Sequence, residues 1–306
     1  MQTAFTLLIF PGLGFIVLCA WLFDWLDRRI IARFQGRVGP PWYQPVADFI
    51  KLLAKEDILS TGINPALSTA LPVLSLASVL TVSLYIPVAR TAPVSFEGDL
   101  IVVLFLLSIP ALAYFLAGWI SGGVYGILGA NRSLLQYFSY EVPFLMALSG
   151  PAILGNSWRI AQIAQQQVGT TWNLALQPLG FILAVVGLIG KLKRDPLDIP
   201  KAKSEVVGGS LTEYSGRKLA LWHLAMDMQT VLGIFLLINL FLGGTSASPL
   251  WGGLGFVLKA LGIVLLLSTA SVLYARLRID QLANLGWRVL APLALMQLAA
   301  TIWMGG

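Results

Sequence analysis

Eight stretches of about twenty residues, each nearly free of charge, divide this chain: about 3–23, 66–88, 100–120, 135–154, 174–192, 219–242, 251–273 and 287–304. Roughly 20 apolar residues are what an α-helix needs to cross the hydrocarbon core of a bilayer. In lipid, a helix is the one single-segment structure that satisfies its own backbone hydrogen bonds. The pattern therefore predicts an all-α polytopic membrane protein with eight transmembrane helices and long cytoplasmic loops. Composition decides against a soluble protein with a very large core. Only 11% of the 306 residues are charged and 57% are hydrophobic, with a mean hydropathy of +0.81, whereas a soluble domain carries about 25% charged residues. The first run is long, has no basic segment before it and is followed by charges instead of a small-residue cleavage site, so it is taken as a span that stays. Neither a low-complexity linker nor an internal repeat interrupts the chain, and one domain over 1–306 is expected.

Orientation follows from the connectors. Arg28, Arg29, Arg33, Arg37, Lys51 and Lys55 follow the first run, and Arg132 follows the third. Lys191, Lys193, Arg194, Lys201, Lys203, Arg217 and Lys218 follow the fifth, and Arg276, Arg278 and Arg288 the seventh. These seventeen face Arg90 and Arg159 alone on the other side, with Lys259 inside the seventh run. The positive-inside rule places the odd connectors in the cytoplasm and both termini outside a prokaryotic plasma membrane.

Composition also removes several chemistries. One Cys (Cys19) and one His (His223) leave no disulfide framework, no Cys-based zinc or iron–sulfur site and no histidine metal cluster. No catalytic or metal-ligating residue is expected here, and nucleic acid is not an expected partner.

Two cytoplasmic connectors are long. In the first, Val46, Phe49, Ile50, Leu52 and Leu53 recur at helical spacing around Asp48, Lys51 and Lys55, which predicts an amphipathic helix in the membrane interface or against the bundle. The second, Asp198–Lys218, holds four Lys/Arg, three carboxylates and three glycines in twenty-one residues. A topogenic loop would account for the cations but not for "VVGGSLTEYSG"; non-helical polar backbone near membrane depth persists when protein covers it or it lines a wet cavity. A docking surface for a soluble partner is the expectation. Within the runs, Glu141 carries an insertion cost of about 2.5–3.5 kcal/mol, which makes proton relay its default role. His223 and Asp227, four apart, share a helical face; they form either a proton-passing pair or an internal hydrogen bond. Lys259 is too deep to snorkel comfortably, and is either the partner of one of these acids or a protonatable group itself.

Four blocks in order, "GRVGPPWYQPVADFIKLLAKED" (Gly36–Asp57), "GDLIVVLFLLSIPALAYFLAGW" (Gly98–Trp119), "LLQYFSYEVP" (Leu134–Pro143) and "SEVVGGSLTEYSG" (Ser204–Gly216), resemble the heel subunit of respiratory complex I and its counterpart in membrane-bound energy-converting nickel–iron hydrogenases. The resemblance runs from about residue 20 to 280. It implies a non-catalytic subunit, without a cofactor of its own, in a hetero-oligomeric membrane complex. Soluble iron–sulfur and hydrogenase-like subunits, carrying a nickel–iron or quinone-reducing centre, would dock on its cytoplasmic face, and antiporter-like subunits would move protons or sodium ions. It implies that Glu141, Glu205 and Glu213 belong to a buried carboxylate chain. Asp27 stands at the place of a family Glu, an interfacial ion pair with Arg28 being the alternative. Arg37, Asp48, Lys191, Asp198, Lys201, Lys203 and Tyr214 fall in the docking or quinone-chamber-like region.

The departures are as informative. Lys191, Lys201 and Lys203 stand where complex I usually has acids, the first loop is short, and Met226 replaces a Glu one residue before Asp227. They favour the ferredoxin-linked, hydrogenase-like branch over a quinone-serving complex I subunit. A stand-alone secondary transporter, the third alternative, predicts broken helices around a midplane site and usually a repeat; neither is evident in the sequence.

Overall fold

Helices begin and end where caps and breakers fall. In the computed structural model, which describes residues 12–60, 62–88, 92–169, 171–245 and 249–305, the apolar runs are helical and no strand occurs among the described residues. They are α1 (Leu13–Phe34), α3 (Pro65–Val82), α4 (Asp99–Ile120), α5 (Val124–Leu154), α8 (Pro178–Leu192), α10 (Gly216–Phe241), α11 (Pro249–Leu273) and a rod made of α12 (Ile279–Leu285), a π-helical turn (Gly286–Leu290) and α13 (Ala291–Gly305). Between them lie α2 (Gln44–Ala54), the short α6 (Ile160–Gln166) and α7 (Asn173–Leu176), and a single turn, α9 (Lys203–Val206). Asn64 caps α3 by accepting from the Ala66 and Leu67 amides at 3.0 and 3.4 Å, with Pro65 in the first turn. Lys193, in the left-handed conformation (φ 51°), closes α8.

Among the described residues, five helical stretches are long and apolar enough to cross a bilayer: α3, α4, α10, Trp251–Leu273 of α11, and Ile279–Met304. The other three predicted spans fall short for physical reasons. Helix α8 has only 15 residues. Helix α1 carries Asp24, Asp27, Arg28, Arg29 and Arg33 in its second half and continues to Phe34, well past the predicted boundary at 23; its residues before 12 lie outside the described ones. Helix α5 has 31 residues and starts about three turns before the predicted 135, since Asn131, Arg132 and Gln136 are polar but compatible with helix.

Helix α10 is the central pillar, buried along almost its whole second half, and α1, α2, α3, α6, α8 and α11 all pack on it. Phe235 of α10 meets Phe256 of α11 at 4.9 Å between ring centres. Helix α5 packs against α4, α8 and α13. Helix α2 forms where the apolar spacing placed it and lies against α1 and α10, with Phe49 5.8 Å from Trp21 between ring centres.

The second long connector is wedged into the bundle. Gly209, Ser210 and Leu211 are buried in a tight turn that sits against Gly129 of α5 and Gly118 of α4. Gly209 adopts φ +59°, and a Cβ there would run into the Pro200 carbonyl, so glycine is required both by conformation and by space.

Candidate functional site

The α5–α8 contact brings two charges together inside the bundle. Gly187 lies against Phe144 and Gly190 against Tyr140, so the two backbones approach closely, as small residues permit in membrane helices. One residue beyond Gly190, the Lys191 ammonium donates to Glu141 Oε1 at 2.8 Å. The side chains are 1% and 6% exposed. Lys191 also stands 5.2 Å from the centre of the Phe144 ring and 3.4 Å from the Leu107 carbonyl. The second carboxylate oxygen, Oε2, is buried without a partner, and Glu141 lines a cleft of about 500 Å³ between α4 and α5 together with Ser108, Tyr137 and Ser149. Lys191 is thus inside the bundle, paired with the acid the sequence singled out, and presents nothing to a docked partner.

A row of lysines leads away from this pair along the connector that follows α8. Lys193 is buried with its ammonium 4.4 Å from the centre of the Tyr114 ring. It feels the charges of Lys201, Lys191 and Glu141 together; burial first, then the two neighbouring ammoniums, bring it down to about 7. Lys201 is half-buried and reaches Met226 Sδ at 3.1 Å. Burial lowers its affinity for a proton, and the nearby Asp198 and Asp227 charges oppose that. Asp198 is raised to about 6, chiefly by burial, although Arg276 donates to it at 3.1 Å.

Beyond Lys201 lies a polar cleft of about 350 Å³ between α1, α2 and α10, into which Asp24, Arg28, Asp48, His223 and Asp227 face. Arg28 bridges Asp24 at 2.7 Å and Asp48 at 2.9 Å. His223 and Asp227 share this cleft and make no hydrogen bond to each other. Asp27 is paired not with Arg28 but with Arg194 at 2.9 Å, and accepts from Ser268 at 2.7 Å; Arg28 points to the other side of α1.

The remaining predicted residues are dispersed. Glu205 is exposed and pairs with Arg132. Glu213 is half-buried, its carboxylate over Gly123 at the start of α5. Tyr214 is buried edge-on to Trp222 at 6.1 Å, and burial pushes its phenol up to about 12. Arg37 is exposed near Gln35. The side chain of Lys203 lies outside the described ones. Lys259 is not the partner of an acid: its ammonium binds the Leu242 and Gly244 carbonyls at 2.5 and 2.9 Å, over Trp172, capping the C-terminal end of α10.

Sequence reasoning passes over Asp24, Lys193 and Arg194. Asp24 has a signal, an acid directly at the end of the first apolar run and three residues before Asp27. Lys193 and Arg194 read only as loop cations. Among the described residues, no group of three or more His, Cys, Asp or Glu is placed to hold a metal ion.

A family model described as NADH dehydrogenase matches residues 6–302. Curated relatives include the H subunit of NADH-quinone oxidoreductase from Dehalococcoides mccartyi, 36% identical over 296 residues, covering 94% of this chain and 83% of that one. The protein of the same name from Carboxydothermus hydrogenoformans is 32% identical over 304 residues, covering 94% and 85%. Among solved structures, a chain of the membrane-bound sulfane sulfur reductase, an archaeal respiratory membrane complex, superposes with a TM-score of 0.90 at 24% identity, covering 98% of this chain and 100% of that one. That likeness carries the fold.

Proposed function

The chain belongs to the NADH dehydrogenase family, with H subunits of NADH-quinone oxidoreductases among its relatives, and from that membership we propose that it is the membrane-anchor and coupling subunit of a complex-I-related respiratory complex. The chain crosses the membrane eight times as one domain, with both termini outside and α2 at the inner interface. A soluble redox module docks on the cytoplasmic connectors, and ion-moving membrane subunits adjoin the bundle. The observation that supports this reading best is the line of ionisable groups that runs from the α1–α2–α10 cleft through half-buried Lys201 to buried Lys193, Lys191 and Glu141. A charge change at the docked module is felt along that line, because buried charges interact through a low effective dielectric. The test is Glu141→Gln in the assembled complex. Loss of ion pumping with redox activity and subunit composition retained is expected; unchanged pumping removes Glu141 from the relay.

The ferredoxin-linked, quinone-independent branch is supported by the lysines at positions 191, 201 and 203 and by the ion-paired residues at the mouth of the polar cleft. A quinone-serving role is favoured by the curated relatives, whose names include quinone. In that case the cleft between α1, α2 and α10 would receive the quinone head near His223 and Asp227. Assaying the purified complex for quinone reduction against ferredoxin oxidation or hydrogen evolution separates them; strong sensitivity to quinone-site inhibitors sinks the first.

A further inference from the structure

Lys191 satisfies only one oxygen of Glu141. The other, Oε2, is buried without a partner, in a residue that is itself 5% exposed and forms part of the wall of the cleft of about 500 Å³ between α4 and α5. The two helices run in opposite directions on either side of a short link, so the cleft has two ends. Ile101, Ser149 and Trp158 mark one; Ser108, Tyr137 and Glu141 mark the other. Ser149 lies about 12 Å further along α5 than Glu141. Tyr137, four residues before Glu141, is on the same face of α5, and its hydroxyl stands beside Ser108 of α4. Phe105 is 66% exposed at the rim, whereas Ser108 is 6% exposed. An apolar lip thus overlies a polar floor.

The floor is short of donors. Ser108 Oγ donates to the Phe105 carbonyl at 2.6 Å, so its oxygen can only accept further bonds. Glu141 Oε2, as a carboxylate oxygen, also only accepts. The Tyr137 hydroxyl is the one donor at this end of the lining, and a single hydrogen cannot serve both acceptors. We propose that water occupies this end of the cleft, hydrogen-bonded to Glu141 Oε2, Ser108 Oγ and Tyr137 Oη, and that Tyr137 is the residue that positions it. Each water brings two hydrogens, which the set lacks; a lipid chain brings none. A buried water needs about 10–15 Å³ and two to four polar partners, and the site meets both requirements. Through this water a proton reaches or leaves Glu141 while the bond to Lys191 stays in place. That use rests on the ion relay proposed above; the water site itself rests only on the fold.

The assembled complex in lipid nanodiscs is given a short X-ray pulse, which turns water into hydroxyl radicals where it stands, and oxidised side chains are mapped by mass spectrometry. Met146 of the cleft should be oxidised well above Met296, and Tyr137 well above its neighbour Phe138; the two controls are 58% and 54% exposed on apolar helix faces. Ser108→Leu, which fills this end of the cleft, should bring Tyr137 down to the level of Phe138. Tyr137→Phe should lower oxidation of Met146 about fivefold, the occupancy lost with one hydrogen bond, and should reduce the ions moved per electron. Oxidation of Met146 no higher than that of Met296 in the wild-type complex overturns the proposal. So does crosslinking of a photoreactive residue in place of Ser108 to lipid or to an adjoining subunit. Unchanged ion movement in Tyr137→Phe, with the Glu141→Gln loss intact, overturns the use in relay alone. The wild-type arms decide the water site even where a variant fails to assemble.

Discussion

Glu141 and Lys191 hold each other's charge inside the bundle, both nearly fully buried, so neither can be removed alone without stranding the other. Breaking such a pair from one side costs about 3–5 kcal/mol, while replacing both members by apolar or neutral groups is often near neutral. Lys191→Met should therefore lower the thermal midpoint of the purified complex markedly, and adding Glu141→Gln should recover most of the loss; additive losses would show that the two act independently. Lys193 makes a separate prediction. Its folded value of about 7 lies below the unfolded value near 10.4, so its contribution to stability is fully present above that unfolded value and is lost as pH falls through about 7. Lys193→Met should flatten the rise in thermal midpoint between pH 7 and pH 9; an unchanged slope would place the ammonium in water. Glu141 is legible in the sequence because an acid inside an apolar run is conspicuous. Its partner is not, because Lys191 closes the fifth run and reads as a loop cation. Fifty residues separate them, and only the α5–α8 register pairs them.

That register depends on helix surfaces. The glycines at 187 and 190 let α8 sit directly against Phe144 and Tyr140, and Gly187→Leu should force the helices apart. Overpacking of this kind costs about 1–3 kcal/mol, visible as a lower midpoint together with impaired coupling; a variant as stable and as coupled as the parent would show that the contact is loose. The helices are largely readable, since run length and apolarity are set by the bilayer. Their ends are less so. Helix α5 extends three turns further because polar residues such as Asn131 and Arg132 interrupt hydropathy but not the helix, and Lys259 reads as a relay group when its depth reflects the end of α10 instead. Hydropathy measures what a residue prefers to touch, and says nothing about which carbonyls lie within reach.

For the molecule as a whole, the two long connectors and the helix ends beside them separate into a submerged part, around Gly209, Ser210 and Leu211, and an exposed basic part that includes Arg33 and Arg37. Docking should depend on the exposed part. Arg33→Glu combined with Arg37→Glu is expected to reduce co-purification of the soluble module several-fold, more so at raised ionic strength, while the membrane subunits stay together; undiminished recovery would move the contact elsewhere. Lys201, turned toward Met226 and Asp227, should matter more for coupling than for retention, and Lys201→Glu alone tests that division. The brevity of α8 carries a last consequence. Fifteen residues make a rod of about 22 Å, against roughly 30 Å of hydrocarbon. On the proposed topology the film must thin beside this helix or flanking residues must cover the difference, and where it thins a given transmembrane voltage drops over less distance.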